Sequence, residues 1–206
     1  MSRQVLAAAG LMLAICPAAA AAQDSAGTES PLPLSTGLRV EALIGYDHAS
    51  FDSVLDGDGL LYGLGVGYDL ALGQVRLGLE AEATDSTART CFGLAGFPGE
   101  SCLRASRDLS IGARIGFEVE RGVLVYGKVA YSSFRESNSF PAAIVTPGAT
   151  GDFTVHPTFD GLRLGLGAEF ALSRRTFVKA EYRFTNYEFS SGFNRHQAVM
   201  GFGFRF

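Results

Sequence analysis

Tryptophan is missing from these 206 residues, histidine and cysteine occur three times each, and only 18% of the residues are charged. So few cysteines and histidines provide no second Cys pair and no neighbouring His from which a zinc site is built. Seventeen Lys and Arg stand against 21 Asp and Glu, a net charge of −4, so the chain has no basic excess to recruit nucleic acid. Past residue 22 no apolar run is long enough for a helix that crosses a membrane, which excludes a helical membrane protein. What is plentiful is glycine, 26 residues, set among regularly alternating apolar and polar positions.

Residues 1–22 read as a secretory signal: Arg3 at the start, an apolar core from Val5 to Ile15, and small residues from Ala18 to Ala22 for cleavage. Removing them leaves 16 basic residues against 21 acidic ones, a net charge of −5. Cys16, between Ile15 and Pro17, fits a lipidation site poorly. Export places Cys91 and Cys102 in an oxidising compartment, where the pair is expected to form a disulfide. Closing so short a loop contributes about 2.5–3 kcal/mol in the chain-entropy account. Residues 23–36 are small, polar and interrupted by proline, and read as a flexible lead-in.

From Gly37 onward residues alternate with period two, the pattern of a strand with unlike faces. The last segment sets the theme. Phe202, Phe204 and Phe206 share one face with Met200 and Ala198, against Gln197, Val199, Gly201, Gly203 and Arg205. Upstream, Leu60, Tyr62, Leu64, Val66, Tyr68 and Leu70 oppose Gly63, Gly65, Gly67 and Asp69, and Leu162, Leu164, Leu166, Ala168 and Phe170 oppose Arg163, Gly165, Gly167 and Glu169. Eight such segments of about ten residues match tilted spans of a bilayer. Short connections (71–73, 120–122 and 173–175) alternate with long ones (50–58, 85–104, 134–157 and 187–195). That alternation is expected of an all-β, eight-stranded antiparallel up-and-down transmembrane β-barrel over residues 37–206, with short periplasmic turns, longer extracellular loops and both termini periplasmic. A soluble lipocalin-like barrel is the competing architecture.

The expected inward set is balanced. Arg39, Arg76, Arg114, Lys128, Arg163, Lys179, Arg183 and Arg205 face Glu41, Asp69, Glu80, Glu82, Asp108, Glu118, Glu169 and Glu181. Charges in so narrow an interior must pair. The favoured reading is a salt-bridge plug, and the alternative a narrow ion path lined by the same groups. Inward glycines leave room for the long charged side chains. Outward aromatics near strand ends, among them Tyr46, Tyr62, Tyr68, Phe117, Tyr131, Tyr182 and Phe184, fit interfacial girdles.

Catalysis has little to stand on. His48, His156 and His196 fall at expected loop edges near Ser50, Ser190 and Ser191, which raises a rim-sited lipid-modifying enzyme as the least favoured reading. No spacing fixes a nucleophile, a base and an orienting group, so no catalytic, cofactor or metal residue is assigned. The acids at Asp52, Asp56 and Asp58 lack the spacing and terminal Glu of a calcium loop. The third long connection, with Phe140, Ile144, Phe153 and Val155, is apolar enough to touch a partner or cover the barrel mouth.

The meander, the segments Val-Tyr-Gly-Lys-Val-Ala-Tyr (125–131), Gly-Leu-Arg-Leu-Gly-Leu-Gly-Ala-Glu-Phe (161–170) and Val-Lys-Ala-Glu-Tyr-Arg-Phe-Thr-Asn-Tyr (178–187), and the terminal Phe206 resemble small outer-membrane β-barrels of the OmpA-like and opacity-protein group, often labelled porin family or surface antigen. The resemblance covers residues 37–206 and implies the outer membrane of a Gram-negative bacterium. Implied partners are outer-membrane lipid, lipopolysaccharide, and an assembly machinery that reads Phe202, Phe204 and Phe206. Implied roles are envelope integrity, surface exposure and, in some members, adhesion to an extracellular ligand. A monomer without cofactor is expected. The group supplies no shared catalytic residues, and the Cys91/Cys102 loop is not one of its general features.

Overall fold

The computed structural model describes residues 36–51, 55–93, 100–144, 146, 149–187 and 193–206. The proposed signal and most of the lead-in lie outside them. Eight long strands make the ring: β1 (Gly37–Phe51), β2 (Leu55–Leu72), β3 (Val75–Ser86), β5 (Glu100–Glu120), β6 (Val123–Pro141), β8 (Thr158–Ala171), β9 (Thr176–Tyr187) and β10 (Phe193–Arg205). Each pairs antiparallel with its ring neighbours in chain order, and β10 closes on β1 from Arg39 opposite Arg205 to Phe51 opposite Phe193. Closure removes every edge from the ring, which a membrane-embedded sheet requires. Two short strands lie outside it: β4 (Arg89–Gly93) pairs with β5, and β7 (Asp152–Val155) pairs with β6.

The short connections fall where the sequence puts them. Gly73 (φ 68°) and Gly122 (φ 83°) take left-handed conformations in the two tightest turns, where a side chain would be strained. Gly122 N also donates to Glu118 at 3.1 Å. In the third turn Ser173 Oγ accepts from the backbone N–H of Arg175 and Thr176 at 3.2 and 3.1 Å.

Two of the expected loops are corrected. Much of 85–104 and 134–157 is strand: β5 and β6 run on past the apolar band and recruit β4 and β7. Cys91 sits opposite Cys102 in the β4–β5 ladder and the two are disulfide-bonded. Phe140 faces Phe153 across β6 and β7, with ring centroids 5.6 Å apart. Val145 and Pro147 of that connection, Asp52 of the first, and Ser190 and Ser191 lie outside the described residues.

The apolar side chains are on the outside. Leu64, Leu79, Ile111 and Leu166 are each about two-thirds exposed (67, 68, 65 and 69%), while Arg39, Arg163 and Arg183 are wholly buried. A soluble barrel buries its greasy face. Here the burial is inverted, so the outward face is matched to hydrocarbon. Among the described residues the interior holds small apolar clusters: Leu43, Leu61 and Val199; Leu124 and Tyr126; and, towards the long-loop end, Phe134 and Tyr187 with three alanines. Lumen glycines make space as expected. A Cβ on Gly201 would meet Lys179 Cε at 2.9 Å, and one on Gly165 would meet Lys128 Cγ at 2.8 Å.

Candidate functional site

Apart from the Arg76–Glu118 pair at the turn, the inward charges form one connected network. At the short-turn end Arg114 holds Asp69 through two nitrogens, at 3.0 and 2.5 Å, and reaches Glu169 at 3.1 Å. Arg205 pairs with the same two acids. Arg39 continues the chain to Asp69, Glu41 and Glu80. At mid-height Lys128 sits 2.7 Å from both Glu80 and Glu181 and 3.2 Å from Glu82. Lys179 bonds Glu41 at 2.7 Å, and Arg183 bonds Glu82 at 2.7 Å and Glu181 at 2.5 Å. Tyr126 donates to Glu181 at 2.6 Å.

Arg163, 3.9 Å from Glu82, links this cluster to an upper one. There Asp108 accepts from Arg163, from Arg195 at 2.9 Å and from Ser132 at 2.8 Å. Arg195 in turn grips Asp47 through two nitrogens, at 2.7 and 2.6 Å. Every sequence-predicted lumen residue points inward and has an opposite charge beside it. Glu118, at the turn, is the one left partly exposed, and it pairs with Arg76 at 2.8 Å. Arg195, expected in a loop, and its partner Asp47 add a ninth charge of each sign.

Nearly all of these side chains are under 5% exposed, so the pairs are desolvated and geometry decides their worth. Glu41, Glu80 and Glu82 bring carboxylate oxygens within 4.8 Å of one another. Lys128, Lys179, Arg39 and Arg183 surround that trio, which makes it the hub of the ion pairs rather than a cation site.

One acid stands apart. Glu136, on the part of β6 beyond the apolar band, is 3% exposed and has no cationic partner among the described residues; only Asn138 Nδ2 donates to it, at 3.1 Å. Burial pushes its carboxyl above the ordinary value of 4.5, partly offset by Asn138. The folded state therefore holds this proton more tightly than the unfolded one, so its contribution to stability is full below 4.5 and is lost as pH rises through the raised value. Glu136→Gln is expected to flatten that part of the pH profile and to stabilise the barrel by about 1 kcal/mol at neutral pH. Urea midpoints of both proteins at pH 4 and pH 8 check it; equal pH dependence in the two would refute it.

His48 and His196 lie within β1 and β10, and the structure pairs their rings with Asp58 and Tyr182; His156 is exposed between β7 and β8. The terminal aromatics face outward, Phe202, Phe204 and Phe206 being 45, 46 and 74% exposed.

Beyond the apolar band on the outer wall, Arg89 stands directly opposite Arg104 across β4 and β5. Arg107 follows at the irregularity between Ala105 and Asp108, which re-aims it outward, and Arg135 extends from β6. All four are exposed, and none is within ion-pair distance of an acid among the described residues.

Comparison with solved structures finds the same architecture. Neisserial surface protein A aligns with a TM-score of 0.57 at 17% identity, covering 82% of this chain and 97% of that one. Ail, the attachment invasion locus protein of Yersinia pestis, aligns at 0.55 and 15% identity, covering 84% and 100%. A second Ail structure, in complex with the heparin analogue sucrose octasulfate, aligns at 0.54. No curated protein matches. The family described as outer membrane protein beta-barrel domain matches residues 7–206, and with its eight-stranded ring, inverted burial and charged lumen the chain belongs to that family of outer-membrane barrels.

Proposed function

We propose that this barrel is a structural, surface-facing component of the outer membrane whose interior is sealed by its own charges. The observation that carries this reading is the unbroken run of ion pairs from Arg205 and Asp69 through Arg39, Glu80, Lys128, Glu82 and Arg163 to Asp108, Arg195 and Asp47. An ion entering must break desolvated pairs, each costing several kcal/mol once one partner is lost. The apolar group of Phe134 and Tyr187 adds a second closure near one end.

In this reading the long-loop end faces outward, residues 1–22 direct export, and the outward aromatics ending at Phe206 guide insertion by the assembly machinery. The barrel works as a monomer and without catalysis. The four exposed arginines support a surface partner rich in phosphate or sulfate, a class that includes lipopolysaccharide. The polyanion bound to Ail in its crystal structure belongs to the same class of ligand.

The test is conductance. The purified barrel, shown closed by its heat-dependent gel mobility, is expected to give no steady current steps in planar bilayers. Stable open steps that change with Arg114→Ala would sink the plug and favour the ion path.

A further inference from the structure

We propose that His48 and His196 form a divalent transition-metal site on the outer wall of the barrel, just beyond the apolar band. The two residues are direct partners in the β1–β10 ladder, on the outward face, and their ring centroids are 6.5 Å apart. They occupy the wall opposite the arginines, separated from them in the ring by β2 and β3 on one side and by β9 and β8 on the other.

Each ring is already held by its Nδ1. Asp58 Oδ1 lies 2.7 Å from His48 Nδ1 and is fixed in turn by the Tyr46 hydroxyl at 2.5 Å. Tyr182 Oη lies 2.7 Å from His196 Nδ1. A histidine whose Nδ1–H is given to a carboxylate or another oxygen presents its Nε2 lone pair, and that outer contact is the usual support of a metal-bound imidazole. Here both imidazoles carry one, on adjacent strands.

The spacing is open but close. With metal–nitrogen bonds of about 2.0–2.1 Å, two rings on one tetrahedral ion have centres about 5 Å apart. The pair must therefore close by somewhat more than 1 Å, which side-chain rotation at this half-exposed position allows. Two imidazoles suit Zn²⁺, Ni²⁺ or Cu²⁺ and not Ca²⁺ or Mg²⁺, which prefer oxygen. Water fills the remaining positions, and entry is direct from outside the barrel.

The experiment titrates Zn²⁺ into the full, untagged barrel in detergent by calorimetry. Gel mobility confirms that every variant is folded. One ion per barrel is expected. His48→Ala and His196→Ala should each weaken it at least tenfold, Asp58→Asn should weaken it about 10-fold or more through loss of the outer contact, and His156→Ala should leave it unchanged. Copper supplies a second readout, since its visible absorption band should shift when either ring is removed. Absence of Zn²⁺ binding by the folded barrel, or binding that survives either single alanine substitution, would overturn the proposal.

Discussion

Asp108→Ala is expected to destabilise the barrel by about 3–5 kcal/mol, the largest loss from any single lumen substitution. Asp108 is buried and serves Arg163, Arg195 and Ser132 at once. Its removal leaves two guanidiniums in a dry interior, and breaking a buried pair from one side costs about this much because the orphaned charge remains. Arg195 keeps Asp47 and Arg163 keeps Ser110 and Thr185, which stops the loss from exceeding that range. Ser132→Ala, which removes one neutral donor from the same carboxylate, should cost only about 1 kcal/mol. The gap between these two substitutions is the informative quantity. Urea titration of the barrel in lipid vesicles, read by gel mobility, measures both. Equal costs would mean that water already screens Asp108 and that the upper lumen is wet.

That network was readable only in part. Wherever the outward face is apolar, alternation assigns the inward face without ambiguity, and Arg39, Lys128, Arg163 and Lys179 followed from period two alone. Beyond the apolar band the outward positions turn polar, as at Arg135, Ser137 and Asn194, so the two faces no longer contrast. Phe134, Glu136, Tyr187 and Arg195 sit in those continuations and read as loop, although their strands are still paired. Phe177 was hidden for the opposite reason: it is apolar and faces inward, beneath the Arg205 guanidinium at 5.1 Å. The pairing of His48 with His196 depends on the register that closes β10 on β1, across nearly the whole chain, and no local pattern encodes it.

The outward face makes the other large prediction. Leu166 is 69% exposed near the middle of its run of outward residues on β8, between Gly127 of β6 and Tyr182 of β9. Leu166→Arg should cost about 2–4 kcal/mol in a bilayer, because a guanidinium at mid-depth must be carried into hydrocarbon or must bend its stem towards a headgroup. Glu169 on β8 and Glu181 on the neighbouring β9 already have cations beside them, so the new charge finds no free partner there by turning through the wall. The same change at Val155, exposed on β7 outside the ring, should cost no more than about 1 kcal/mol, since the penalty fades towards the interface. Urea midpoints in vesicles compare the two. A depth-dependent difference follows only if lipid covers Leu166. In a water-soluble barrel an exposed leucine changed to arginine would shift stability by no more than about 0.5 kcal/mol at either position, and that flat result would require the apolar wall to be covered by protein instead.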